Sequence, residues 1–195
     1  MYSFFAMLSR MKYIDRWALM RNSRQENISE HSHEVAVLAH ALAVIGNKRL
    51  GKHLPAERAA LLGLYHDSTE ILTGDLPTPV KYRDEQIRRA YKHIEGLAAQ
   101  SLLERLPEDL RGEYESLFDP QEDEAYLWKL VKAADKLSAL IKCMEEEKAG
   151  NREFIRAGQG TRKALEEMHL PEVEIFTEEF LPAYALTLDE IGETP

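Results

Sequence analysis

Apolar side chains recur at three- and four-residue steps along most of this chain, the period of helices that bury one face. No stretch of useful length alternates with the two-residue period of a strand. The first helical run, Phe4, Met7, Leu8, Met11 and Ile14, follows Ser3, a residue type that caps helix N-termini. From residue 15 to 25 the period is lost in a basic segment, read as a loop carrying Arg16, Trp17, Arg21 and Arg24. Asn27, with Glu30 three positions on, has the form of a capping pair, Ser29 being an equal candidate. Val35, Leu38, Ala39, Leu42 and Ile45 then carry a helix on to the Gly46 and Gly51 region, with His31 in its first turn. Pro55, at a plausible first helical position, opens a third helix through Ala59, Leu62 and Tyr65 to Ile71, Leu72 and a stop at Gly74. His66 and Asp67 fall in its last third. Residues 75 to 79 read DLPTP and, with two prolines in three residues, predict a stiff non-helical segment. Further helices are expected over residues 83 to 106, 107 to 117, 122 to 149 with Gly150 as cap, 152 to 168, and onward from Pro171.

These runs predict an all-α helical bundle, and 195 residues fit one domain, since single cores commonly reach about 100 to 200 residues. A formal charge of -9 argues against tracking a nucleic-acid polymer, whose binding draws on Lys and Arg. A small nucleotide stays open, because a few cations and a divalent metal can hold one phosphate in an acidic protein. Cys143 is the only cysteine, so no intrachain disulfide forms, and a reducing cytoplasm is the simplest location. Arg10, Lys12, Asp15 and Arg16 interrupt the N-terminal apolar residues too early for a signal segment or membrane span. The acidic runs at residues 145 to 147 and at Glu166 and Glu167 read as solvated helix faces.

The chemistry-bearing residues begin with the adjacent His66 and Asp67, a pair that taken alone is more often incidental than functional. Asp135 continues the apolar stripe through Leu127 and Val131, where a carboxylate needs a salt bridge, a hydrogen-bond network or a metal. Together His31, His66, Asp67 and Asp135 offer two imidazoles and two carboxylates, a donor set suited to Mn²⁺, Co²⁺, Fe²⁺ or Zn²⁺. Glu70 stands three residues from Asp67 and four from His66, which puts it on the same helical face as the pair. His33 and His93 read as surface histidines.

The ordered series of a His at a helix start, an HD dipeptide and an isolated later Asp resembles the signature of HD-superfamily phosphohydrolases. The segments IDRWALMRN, ENISEHS, YHDSTEILTGDLPTPVKY and KAADKLSALIKC are similar to the YfbR-type 5'-deoxynucleotidases within it. The resemblance runs to about residue 191. It implies an HD-domain helical bundle that hydrolyses deoxyribonucleoside 5'-monophosphates, with His31, His66, Asp67 and Asp135 holding one divalent cation (Co, Mn, Zn or Fe). It implies Glu70 as proton acceptor, with Arg16 orienting the phosphate and Trp17 packed against the deoxyribose to disfavour a 2'-hydroxyl. Asp75, Leu76, Pro77 and Thr78 would recognise the sugar, with His31, Asp67 and Asp135 also facing the substrate. A homodimer is the implied assembly. The alternatives are an HD phosphohydrolase acting on a triphosphate or cyclic nucleotide, and a non-catalytic nucleotide or metal sensor.

Overall fold

The computed structural model describes residues 1–81, 83–119 and 121–193, and leaves the side chains of Thr78 and Pro79 undescribed. Its elements are α1 (Phe4–Leu8), β1 (Asp15–Arg16), β2 (Glu26–Asn27), α2 (Ile28–Arg49), α3 (Ala56–Tyr65), α4 (Glu70–Thr73), α5 (Thr78–Lys81) and α6 (Glu85–Leu103). They continue as α7 (Glu108–Phe118), α8 (Ala125–Lys148), α9 (Ile155–Glu166), α10 (Pro171–Glu179) and α11 (Leu188–Gly192). The expected all-α bundle is what forms. A two-strand antiparallel ladder of β1 on β2, with Arg16 opposite Glu26, closes the loop from residue 17 to 25 at its base. Two residues per strand are too few to alternate, which is why no strand was expected there.

The core lies where α2, α3 and α8 meet. Along α2 the buried positions include His31, Val35, Leu38, Ala39, Leu42 and Ile45, and along α8 they include Leu127, Leu130, Val131, Ala134, Leu137, Ser138 and Ile141. Both series follow steps of three and four, so each helix turns one stripe inward. Asn27 caps α2 by accepting from the Ser29 and Glu30 amides at 3.0 and 3.1 Å, deciding between the two candidate caps. The stripe drifts along α8, so Asp135 sits at its edge instead of on it, with 39% of its side chain accessible.

Several boundaries differ from expectation: Pro55 is the N-cap of α3 instead of its first residue, and Ser3 precedes α1 without a side-chain capping bond. The first run tightens after Leu8 into a 3-10 turn over Ser9–Tyr13. The third helix stops at Tyr65, and residues 66 to 69 form turns before the single turn of α4, so His66 and Asp67 lie past the helix end. The cause is local: His66 Nδ1 donates to the Gly63 carbonyl at 2.7 Å, the acceptor that the Asp67 amide would use if the helix ran on. Within DLPTP, Thr78 and Pro79 begin α5 instead of lying in a wholly non-helical segment. A first helical turn does not use the amide that proline lacks.

Gly63 also sets how closely α3 approaches α2. A Cβ there would come within 2.9 Å of the Ala36 Cα and 3.1 Å of the Val35 carbonyl oxygen, both backbone atoms. Gly63→Ala therefore pushes the helices apart, and urea denaturation should find it less stable by about 2 kcal/mol, the usual cost of overpacking a tight core. Unchanged stability would mean the two helices adjust freely.

Candidate functional site

His31 is fully buried because it continues the α2 stripe by one turn toward the N-terminus. The turn after α3 brings His66 and Asp67 against it. His66 Nε2 is 3.1 Å and His31 Nε2 3.5 Å from Asp67 Oδ2. Asp135, reaching in from α8, puts Oδ1 3.2 Å from His31 Nε2. Among the described residues His31, His66 and Asp67 form a cluster compact enough to hold a metal ion, and Asp135 stands beside it through His31. Despite these distances, neither Nε2 has a hydrogen-bond partner of good geometry. Two buried imidazole nitrogens left unsatisfied beside carboxylates are what a cation would complete.

The tautomers are set by what surrounds Nδ1. The Gly63 carbonyl can only accept, so His66 carries its proton on Nδ1 and leaves Nε2 as a bare lone pair. His31 has two possibilities. Arg16 Nη1, 2.8 Å from His31 Nδ1, can only donate and favours the proton on Nε2. Ser138 Oγ, 3.0 Å from the same nitrogen, gives its own proton to Glu34 at 2.5 Å, so its lone pairs can accept from a protonated Nδ1. That second arrangement frees the His31 Nε2 for a ligand.

The charges follow the packing. Burial opposes ionisation of Asp135, but the His31 imidazole, 3.2 Å from its Oδ1, outweighs it and lowers the carboxyl to about 2. Burial likewise opposes ionisation of Asp67, yet His66 holds it below the usual carboxylate range. Glu70 is the exception: burial first, then the charges of Asp67 and Asp75, push it up to about 9. Its Oε2 is a third buried atom with no hydrogen-bond partner, and Lys81 Nζ is 4.0 Å from Oε1.

Arg16 and Trp17 reach the cleft from the β1 end. The Arg16 guanidinium donates to Glu26 at 2.9 Å and has Nη2 3.8 Å from Asp135. Asp75 is half-buried, and burial raises the pKa of its carboxyl. Gly74, at φ 73° and ψ 162°, a region open essentially to glycine, turns the chain from α4 into the segment of Asp75. Leu76 and Pro77 are half-buried, and the Thr78 side chain lies outside the described residues. Arg21 and Arg24 stay exposed, Arg24 facing Glu30 at 3.7 Å. His33 and His93 are exposed, as expected.

Sequence reading missed the groups that hold this frame. Glu146, expected on a solvated face, is only 1% exposed, where it pairs with Lys142 and accepts from the Ser23 amide at 2.8 Å and Asn151 Nδ2 at 2.8 Å. Lys142 Nζ also donates to the Arg24 carbonyl. The available signal was the spacing of Lys142 and Glu146, four apart on a helix otherwise apolar at those positions. Ser138, Glu34 and Glu26 left no signal beyond their neighbourhood in sequence to other site residues.

With this geometry, the class of the fold is recognisable among solved structures. An HD-domain phosphohydrolase from Listeria innocua matches with a TM-score of 0.80 at 23% identity, covering 98% of this chain and 92% of the other. An HD phosphohydrolase of cyanophage S-2L, described as bound to dA and one catalytic Zn²⁺ ion, matches with a TM-score of 0.61 at 18% identity over 97% of this chain and 96% of its own. The fold is therefore that of the HD-domain phosphohydrolases. Sequence narrows it: the YfbR-like 5'-deoxynucleotidase family matches residues 3–184. A 5'-deoxynucleotidase from Erwinia tasmaniensis is 50% identical over 190 residues, 97% of this chain and 96% of its own. The chain belongs to the YfbR-like 5'-deoxynucleotidase family.

The Glu146 anchor has a pH signature. Burial opposes its charge, but the Lys142 and Asn151 hydrogen bonds outweigh that and hold its carboxyl near about 2. A depressed folded pKa gives stability that is present above the unfolded value, roughly 4.3, and is lost as pH falls through the folded one. Urea titrations should show wild type more stable than Glu146→Gln by about 3 kcal/mol at neutral pH. The gap should close as pH drops from 5 toward 2, and a gap independent of pH would show that the carboxylate charge does not anchor the loop.

Proposed function

We propose that this protein is a metal-dependent phosphomonoesterase that hydrolyses deoxyribonucleoside 5'-monophosphates to deoxynucleoside and phosphate, acting in a reducing cytoplasm. A homodimer, carried by the family resemblance, is the expected assembly. The observation carrying the reading is the convergence of Asp67 with His31 Nε2 and His66 Nε2, the two nitrogens without hydrogen-bond partners, directly beside the Arg16 guanidinium. The 5'-deoxynucleotidase of Erwinia tasmaniensis, as a relative, supports the substrate class, and the dA and zinc of the cyanophage neighbour support the nucleotide and the metal.

His31, His66, Asp67 and Asp135 would hold the ion, and two imidazoles among four donors favour a first-row transition metal or zinc over Mg²⁺ or Ca²⁺. When bound, a divalent cation polarises the phosphate, makes water a usable nucleophile near neutral pH and favours the ionised form of Glu70. The chain's own residues do the rest. Arg16 binds the phosphate oxygens with the fork donors that Glu26 leaves free, and its charge offsets the negative charge that builds as the attacking water adds to phosphorus. Glu70 accepts the proton of that water as the bond from phosphorus to the sugar 5'-oxygen breaks. Trp17 closes the space where a ribose 2'-hydroxyl would lie, leaving that hydroxyl desolvated and unpaired. Asp75 accepts from the 3'-hydroxyl, while Leu76, Pro77 and the Thr78 backbone line the sugar.

The test is phosphate release from dAMP, dTMP, AMP, 3'-dAMP and dATP by chelator-stripped protein, with and without added Co²⁺, Mn²⁺ or Zn²⁺. Metal-restored release from the 5'-deoxy monophosphates alone is expected, and pyrophosphate or tripolyphosphate release from dATP would sink the reading. Glu70→Gln should lower kcat by roughly 10² to 10⁴-fold, the usual worth of general acid-base catalysis, with metal and nucleotide binding retained. Unchanged turnover would remove Glu70 from the mechanism.

A further inference from the structure

Trp17 is held in a backbone conformation that its side chain disfavours. Its φ of 58° lies in the left-handed region, where a bulky non-glycine residue is a genuine outlier. Such strain persists only where the surroundings over-determine it. Here they do: the Trp17 carbonyl accepts from the Met20 amide at 2.8 Å and from Asn22 Nδ2 at 3.2 Å, and the indole packs on buried Phe154 with ring centroids 5.4 Å apart. The remaining restraint is Glu26.

In a regular strand Arg16 and Trp17 would point to opposite faces. The left-handed turn at Trp17 cancels that alternation, so that both side chains donate to one atom: Glu26 Oε2 accepts from Arg16 Nη1 at 2.9 Å and from Trp17 Nε1 at 3.1 Å. Glu26 faces Arg16 across the β1–β2 ladder and is largely buried, 13% of its side chain being accessible. A charge-assisted acceptor shared by two donors in a partly desolvated site is a stiff restraint on both.

We infer that Glu26 is a positioning residue for sugar selection, one carboxylate oxygen locking the phosphate-holding guanidinium of Arg16 and the sugar-facing indole of Trp17 into a single unit. This rests on the deoxynucleotidase reading above. With the pair locked, the ring sits at a fixed offset from the bound phosphate, and that offset is what lets it exclude a hydroxyl three carbons on from the phosphorylated 5'-carbon. Without Glu26, the guanidinium still carries its charge and the ring still touches Phe154, but the shared acceptor is gone and only the guanidinium's loose approach to the indole, 5.9 Å from its centroid, couples the two.

The experiment compares kcat/KM for dAMP and AMP in the metal-loaded full chain for wild type, Glu26→Ala, Glu26→Gln and Trp17→Phe. Glu26→Ala should lower the dAMP to AMP ratio by about tenfold, the weight of one charge-assisted hydrogen bond. Glu26→Gln, which keeps an oxygen acceptor, should rescue most of the ratio even where it raises KM. Trp17→Phe, which keeps a ring but loses the N–H, should lower the ratio as well, and adding Glu26→Ala to it should lower the ratio little further. In a Trp128→Phe background, acrylamide should quench Trp17 fluorescence more readily in Glu26→Ala than with Glu26 present. A folded Glu26→Ala protein that loses activity on dAMP and AMP equally, with the ratio unmoved, overturns the inference and leaves the deoxynucleotidase reading standing. If Glu26→Ala fails to fold, a Glu26→Gln and Trp17→Phe pair whose effects on the ratio simply add overturns it too. A wild type that treats dAMP and AMP alike overturns the reading and the inference together.

Discussion

The constraint on which the rest of this structure depends is the crowding of carboxylates at the mouth of a helical bundle. Asp67, Glu70, Asp75 and Asp135 lie close enough to perturb one another, Glu70 being pushed up to about 9 chiefly by burial and then by two of its neighbours. Bringing such groups together out of bulk water is strongly unfavourable unless cations share the space. The chain supplies Arg16 and Lys81 at contact distance, fewer positive charges than there are acidic groups. The deficit, set beside two buried imidazole nitrogens without partners, is the physical reason a divalent cation belongs to this fold.

Much of the fold could be read from hydrophobic period alone, because α2 and α8 are long and each buries a stripe that repeats every three or four residues. That period also carried the burial of His31, which extends the α2 stripe by one turn. What could not be read are the places where a side chain outbids the backbone. Tyr65 looks like the middle of a helix, yet the His66 imidazole takes up the Gly63 carbonyl and the helix ends. The Arg16 and Glu26 ladder is two residues long and leaves no alternation to detect. Glu146 lies in a run of three glutamates, and composition alone cannot say which of the three turns inward.

The site residues divide in the same way. The proposed donors His31, His66, Asp67 and Asp135 and the proposed cleft residues Arg16, Trp17, Glu70 and Asp75 stand out in the sequence by residue type and spacing. The residues that aim them do not. Ser138, backed by Glu34, allows the His31 proton to sit on Nδ1 and leave Nε2 bare, and Glu26 accepts from the Trp17 indole. Their contribution is one of geometry, which a linear pattern of residue types does not encode.

One helix unites the two sets. Asp135, Ser138, Lys142 and Glu146 follow one another at steps of three, four and four along α8, so they form a polar seam parallel to its apolar stripe. A seam of this kind inside a helix bundle would be destabilising if its groups were unpaired. Each has a partner on the segments that carry the cleft: Asp135 meets His31, Ser138 meets His31 and Glu34, Lys142 meets the Arg24 carbonyl, and Glu146 meets the Ser23 amide. The partners run in order from the cleft at one end of the seam to the base of the loop bearing Arg16 and Trp17 at the other. A rigid helix therefore fixes both the distance from the metal donors to the loop and the loop's height above them. Any ligand that must touch the donors with its phosphate and the indole with its sugar is measured against that length. Selectivity in such a site is a property of the helix as much as of the residues that line the cleft.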